Sequence, residues 1–250
     1  MIPNITKIST LKPLTEVIEK LTPKTLLIFD IDEVLIVPTP AFRLTHPYRK
    51  SLIQDLQKRL PYEERKVLFS IILNHCEYQL VDPSILNIIE KIKNRKIPAI
   101  ALTKSFNGKL GIVDSVSDKM IGSLKKLQIN FEDLSPFKEE LSISEMIEGE
   151  VYPIFKKGIL MTAKLDKGEA LKYLLQNNNY RPSQIFFIDN QRDNLLSVQR
   201  TCESLSISFQ GFEYDGATCI PEPCLSKEEE RLRFKTLEEE HRWITNLISS

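Results

Sequence analysis

The chain mixes short, uninterrupted apolar runs with longer stretches in which apolar positions recur every three or four residues. Runs of the first kind predict strands covered on both faces, and the second pattern predicts helices with one apolar stripe. Residues 11–22 carry Leu14, Val17, Ile18 and Leu21 at helical spacing, and Pro23 closes that helix. Residues 25–29 run without alternation and predict a central parallel strand. Pro38-Thr39-Pro40 breaks the pattern. Helical spacing then continues to about Leu80 through Leu52, Ile53, Leu56, Leu60, Val67, Leu68, Ile71 and Ile72, with no strand pattern between. Asp82-Pro83-Ser84 opens the next helix, with Asp82 as N-cap, Pro83 in the first turn and Ile85, Ile88, Ile89 and Ile92 as its stripe.

Further along, residues 97–102 predict a second core strand, and the polar stretch 106–150 contains a helix near 117–127. A hairpin over 152–161 turns at Lys157-Gly158. A helix over 167–175, a strand over 184–188, a helix over 194–201 and a last strand over 205–209 follow. Residues 227–248 form a charged amphipathic helix with Phe234, Leu237, Ile244 and Ile248 on one face. Strands alternating with helices imply an α/β fold with a doubly wound parallel sheet. Right-handed crossovers put the strand carboxyl ends on one edge, where such sheets carry their sites. The expected organisation is a core of residues 1–37 and 81–220, a small helical cap inserted at 38–80, and a C-terminal amphipathic helix at 225–250.

Composition changes this picture little. The 250 residues are 42% hydrophobic, enough for one α/β domain with a modest insertion. Lys and Arg number 34, as do Asp and Glu, so net charge is zero and nothing favours nucleic acid or an anionic membrane as a bulk electrostatic partner. The four cysteines, Cys76, Cys202, Cys219 and Cys224, lack metal-ligand spacing and read as reduced thiols of a cytosol-like compartment. The first residues show no basic start followed by an apolar run, so the expected location is cytoplasmic, with export by an unrecognised signal as the alternative. The most apolar segment, 26–37, is short and interrupted by Asp30, Asp32 and Glu33, which rules it out as a bilayer span. No pattern supports contact with a membrane surface or a host protein.

Chemistry gathers at the ends of the apolar runs. Asp30 and Asp32 lie two residues apart after the first strand, and on an extended chain they point the same way. Two like charges so close call for a cation or a shared proton, and oxygen ligands suit a hard ion such as Mg²⁺. Asp189 ends a second apolar strand; alone it reads as an Asx turn, and paired with Asp30 it becomes a candidate metal ligand. Asn190 and Asp193 are placed to hold water or the ligands from behind. Thr103 follows the 97–102 strand, where a hydroxyl either caps the next turn or donates to a phosphate oxygen. Lys167 stands at a helix start, a position the helix dipole disfavours for a cation, so an anionic site is the sharper explanation than a solvated lysine. Lys164 is a weaker candidate for the same role.

Taken in order, these residues resemble the haloacid dehalogenase superfamily of phosphohydrolases. Asp30-Ile31-Asp32-Glu33-Val34-Leu35 is similar to its first motif, Thr103 to its second, Lys167 to its third, and Asp189, Asn190 and Asp193 to its acidic fourth. Asp166-Lys167-Gly168-Glu169, the Phe-Ile-Asp block with Asn194-Leu195, and Gly211-Phe212-Glu213-Tyr214 more loosely resemble a poorly characterised bacterial branch. Asn190 departs from the second acid many relatives carry.

The resemblance implies a Rossmann-like core and a Mg²⁺-dependent phosphatase acting on a small phosphorylated molecule or a phosphoprotein. Asp30 would be the nucleophile and Asp32 the general acid and base, with Thr103 and Lys167 completing the catalytic set. Asp30, Asp189 and the main-chain carbonyl of Asp32 would hold the metal. The insertion stands where this superfamily often carries a cap. Arg43, His46, Tyr48, Arg49 and Lys50 near its start would face either an anionic substrate or solvent. The alternatives are a catalytically idle binding module on the same fold, a phosphotransferase, and an Asp-x-Asp sugar transferase, the last disfavoured because no nucleotide-binding unit precedes the acid pair.

Overall fold

The computed structural model describes residues 4–143 and 152–245. In chain order the elements begin with β1 (Ile5–Ile8), α1 (Lys12–Ile18), β2 (Thr25–Phe29), β3 (Ile36–Pro38), α2 (Pro47–Arg59) and α3 (Tyr62–His75). Next come β4 (Tyr78–Leu80), α4 (Ile85–Asn94), β5 (Ala99–Thr103), α5 (Val116–Lys126), β6 (Leu141–Ser142), β7 (Ile154–Lys156) and β8 (Ile159–Met161). The last are α6 (Lys167–Asn177), β9 (Gln184–Asp189), α7 (Arg192–Ser204), β10 (Ser208–Tyr214) and α8 (Lys227–Glu240). By mutual contact the described residues fall into two units: 4–37, 80–107 and 124–220, and 38–79, 108–123 and 221–245. The expected cap boundary at 38–80 lies close to the first limits of the second unit, which also gathers 108–123 and the tail helix.

The first unit is an α/β structure on an eight-stranded sheet of order β1-β10-β9-β2-β5-β8-β7-β6. From β1 through β8 in that order the strands pair in parallel, and the β8–β7 and β7–β6 pairings are antiparallel, so β7 alone is reversed. All five residues of β2 are buried, as its unbroken apolar run requires of a parallel strand with two covered faces. Alternation still assigns the faces. Leu26 and Ile28 of β2, Ile185 and Phe187 of β9, and Ile100 and Leu102 of β5 share one core with Leu171 and Leu174 of α6 and Leu195 and Val198 of α7. The next residue in each alternation at the strand ends is Asp30 on β2 and Asp189 on β9, so both acids emerge on the α6/α7 face. The chain leaves β2 for β5 on one side and reaches β9 on the other, which makes the carboxyl end of β2 the switch point of the sheet.

The hairpin turns where expected. Lys157 and Gly158 have φ of 49° and 79°, the paired left-handed conformation that a two-residue turn needs between right-twisted strands. Other expectations shift. The last strand is β10 at Ser208–Tyr214 rather than 205–209, because α7 runs on through Ser204 and Leu205 and Ser206 close that helix. β1 carries no long apolar run and was not expected; it is a four-residue edge strand paired only with β10. β3 and β4, at the two ends of the insertion, pair as a separate two-stranded sheet where only helix was expected. Asp82 sits ahead of α4 as an Asx turn, its carboxylate accepting from Ser84 N at 2.8 Å, while Ser84 takes the N-cap position.

In the second unit, α2, α3 and α8 surround an apolar cluster of Phe42, Leu56, Leu68, Ile71, Ile72, Phe234, Leu237 and Trp243. Arg49 and Glu230, 1% and 2% exposed, form a two-pronged ion pair at 2.7 and 2.8 Å, and Arg233 closes on the same carboxylate. Arg43 is buried with Nη1 donating to Pro221 O, and His46 caps α2. Arg49 is therefore a structural ion rather than a solvated or ligand-facing one, and Lys50 is exposed. α8 stops at Glu240, where His241 turns left-handed at φ 52°, so Ile244 lies beyond it and Ile248 falls outside the described residues. Among the described residues no helix is long and apolar enough to cross a membrane.

Candidate active site

Register brings the acids together. Phe29 pairs with Ile188, and Asp30 N donates to Ile188 O at 2.9 Å, which sets Asp30 beside Asp189. Lys167, the first residue of α6, reaches back to both: Nζ lies 2.8 Å from Asp30 Oδ1 and 2.7 Å from Asp189 Oδ2. The Lys167 side chain is 1% exposed and its ammonium lies over the Phe187 ring, 5.5 Å from the centroid. A buried lysine keeps its charge only against carboxylates, so the site holds Lys167 by ionic contact rather than by solvation.

Asp30 is pushed up to about 7, first by burial, then by the negative charges of Asp189 and Asp32; Lys167 opposes the rise without cancelling it. Asp30 Oδ1 also accepts from Ile31 N at 2.8 Å, so this one oxygen is engaged by both Ile31 N and Lys167. Asp32 stands exposed at the rim. Crowding by surrounding protein raises its carboxyl despite that exposure, against the pull of Lys167 and of a hydrogen bond from Thr103. That bond runs from Thr103 Oγ1 to Asp32 Oδ2 at 3.4 Å, and the same hydroxyl accepts from Ser105 N at 3.2 Å. Thr103 thus caps the turn that follows it, and its hydroxyl also donates to Asp32.

Asp189 is held from several sides. Oδ1 accepts from Gln191 N at 2.7 Å, an Asx turn, and Asn194 Nδ2 lies 3.1 Å from each oxygen. The described hydrogen bonds to its carboxylate come from Lys167, Gln191 N and Asn194 rather than from the side chains of Asn190 and Asp193, the residues expected to hold water or the ligands from behind. Asn190 donates instead to Glu33 Oε2 at 2.7 Å, and Asp193 is exposed in the first turn of α7. The difference follows from helical geometry: α7 turns Asn194 inward to the sheet and Asp193 outward. Asn194 carried a legible signal, standing five residues after a strand-end acid and just before buried Leu195. Lys164, the weaker cation candidate, is exposed, and Lys167 alone of the two is buried against the acids. Asp30, Asp32, Thr103, Lys167 and Asp189 are all brought to one strand edge of the first unit.

These elements define a parallel-sheet α/β protein whose strand carboxyl ends carry acids around a buried ammonium. The chain belongs to the family described as "Protein of unknown function (DUF2608)", which matches residues 7–246. A Rickettsia bellii protein described as uncharacterized is 24% identical over 198 residues, covering 76% of this chain and 68% of that protein. A Chlamydia pneumoniae protein, provisionally named for the outer membrane, is 27% identical over 201 residues, covering 78% and 71%. Among solved structures, a haloacid dehalogenase-like family hydrolase from Streptococcus pneumoniae matches with a TM-score of 0.41 and 13% identity, over 75% of this chain and 93% of that one.

Proposed function

We propose that the protein is a Mg²⁺-dependent phosphatase that hydrolyses a phosphomonoester through an aspartyl-phosphate on Asp30. The observation that carries this reading is the convergence of Asp30 and Asp189, from two separate strands, on Lys167 Nζ. The second support is the ordered resemblance of Asp30, Asp32, Thr103, Lys167 and Asp189 to the haloacid dehalogenase phosphohydrolases.

The donor set fits a hard divalent ion. Among the described residues no three His, Cys, Asp or Glu side chains cluster as a ready-made metal site. The fit therefore rests on two carboxylates, Asp30 and Asp189, with the main-chain carbonyl of Asp32 and water completing an oxygen shell. Asp30 and Asp189 both contact the Lys167 ammonium, and Asp30 is raised first by burial and then by the negative charges of Asp189 and Asp32, a repulsion that a divalent ion would offset. When bound, Mg²⁺ supplies neutralisation of charge on Asp30 and on the phosphoryl oxygens.

The remaining steps belong to the chain. Asp30 Oδ1 is occupied by Ile31 N and Lys167, which leaves Oδ2 to attack phosphorus. The bond from phosphorus to the ester oxygen breaks as Asp32 delivers its proton to that oxygen. Asp32, kept raised by its surroundings and oriented by Thr103, then takes a proton from water as the water attacks phosphorus. The bond to Asp30 breaks, phosphate leaves, and both carboxyls return to their starting state. General acid–base help of this kind contributes about 10²–10⁴-fold. Lys167 offsets charge that builds on the phosphoryl group.

The test is a panel of phosphomonoesters, phosphopeptides included, with and without Mg²⁺. Turnover is expected with Mg²⁺ and absent in Asp30→Asn, whose circular dichroism stays native. No turnover across the panel by a folded, Mg²⁺-supplied protein defeats the proposal.

A further inference from the structure

Lys167 and Asp189 face each other across the site, and both are tied to one helix. α7 presents Asn194 and Ser197 three residues apart, on one side of the helix. Asn194 Nδ2 lies 3.1 Å from both oxygens of Asp189. Ser197 Oγ makes a short hydrogen bond to Asp166 Oδ1 and accepts from Gly168 N at 2.8 Å. Asp166 Oδ1 in turn accepts from Gly168 N at 2.9 Å and caps α6. The two residues that flank Lys167 in the chain are therefore both fastened to Ser197.

This fastening is closer than a helix cap requires. An N-cap needs only the amides of its own first turn, which Asp166 already accepts. Gly168 lets the helices approach: a Cβ there would overlap the carbonyl oxygen of Ser197 and come within 2.7 Å of Ser197 Oγ and Thr201 Oγ1. Lysine has a flexible four-carbon stem, so holding Nζ against two carboxylates at once demands a fixed Cα. A cap alone fixes the first turn of α6 to itself, whereas the Ser197 contact fixes it to the helix that also holds Asp189.

We infer that Ser197 is a positioning residue: with Asp166 and Gly168 it makes α7 the gauge that sets Lys167 Nζ between Asp30 and Asp189. The inference rests on the role given to Lys167 above, and the experiment separates the two. Acetic anhydride labels amines of the full chain, and peptide mass spectrometry follows Lys167; p-nitrophenyl phosphate with Mg²⁺ reports turnover. Ser197→Ala should raise the labelling rate of Lys167 at least about tenfold, a local opening eased by about 1.4 kcal/mol. Its kcat should fall about 10- to 100-fold, the cost of a misplacement on the order of 1 Å. KM should stay within about twofold, because ground-state binding is untouched. Asp166→Ala should reproduce this pattern, and Asp166→Asn, which keeps Oδ1 as acceptor, should rescue most of it.

Val198→Ala controls for general loosening, since Val198 is a fully buried core residue of the same helix outside this hydrogen-bonded ring. It should lower Tm without changing Lys167 labelling measured well below Tm. Unchanged Lys167 labelling in Ser197→Ala overturns the inference, as does an equal rise in Val198→Ala. If the wild type turns over no substrate, the phosphatase reading fails while the labelling still decides the positioning role.

Discussion

Replacing Lys167 with Met keeps most of the apolar stem and removes the ammonium, leaving Asp30 and Asp189 without their shared cation. Both carboxyls are buried, with side chains 8% and 0% exposed, so water cannot replace the lost contact. Removing one partner of a buried ion pair costs about 3–5 kcal/mol, because the other charge stays buried and uncompensated. For a chain of this size each kcal/mol moves Tm by about 2–4 °C, so the expected fall is roughly 6–20 °C.

The pH dependence has a definite sign. Asp30 is raised from 3.8 to about 7 in the folded protein, so its contribution to stability is present at low pH and fades as pH rises through about 7. Without Lys167 its carboxyl rises further, and a protonated carboxyl needs no cation. The deficit of Lys167→Met should therefore be smaller at pH 5 than at pH 8. Thermal melts by circular dichroism at both pH values, in chelator to exclude divalent ions, measure it. A variant within 2 °C of wild type at pH 8, a limit set at about the shift from 1 kcal/mol, refutes the claim that the buried ammonium is held by charge. A deficit equal at the two pH values refutes the assignment of that charge to the raised Asp30.

Asp30→Asn removes a desolvated carboxylate while Lys167 keeps Asp189; melts should show a higher Tm than wild type at pH 8, and the gain should shrink towards pH 5. Glu230→Ala leaves Arg49 and Arg233 buried without their carboxylate, and urea unfolding should report a loss of about 3–5 kcal/mol. A loss near zero would show that main-chain carbonyls already satisfy both guanidinium groups. Gly158→Ala places a side chain at φ 79° against the Phe131 carbonyl and should cost about 1–3 kcal/mol by the same measurement.

The site was legible wherever a side chain's position follows from a strand end. β2, β5 and β9 are unbroken apolar runs, so the acids and the hydroxyl that follow them had to emerge at one sheet edge. The Lys157-Gly158 turn was legible because few residue pairs accept two left-handed conformations in succession. β1 and β10 were hard to read for the opposite reason. β10 mixes Gln210, Gly211 and Glu213 with its aromatic residues, and β1 is four residues long at an edge, so neither has a run that periodicity detects. β3 and β4 have three residues each, too few to show a period.

By itself the sequence determined which polar residues stand at the carboxyl ends of the buried strands, because apolar runs dictate strands and strand parity dictates which face an acid leaves. Only the tertiary structure decided how those groups are held. It set Asn194 against both oxygens of Asp189, turned Asn190 to Glu33, and made Arg49 the buried counter-ion of Glu230, 181 residues away. Local periodicity is a property of neighbouring residues, whereas an ion pair or a hydrogen bond between helices depends on distances set by the packing of the whole chain.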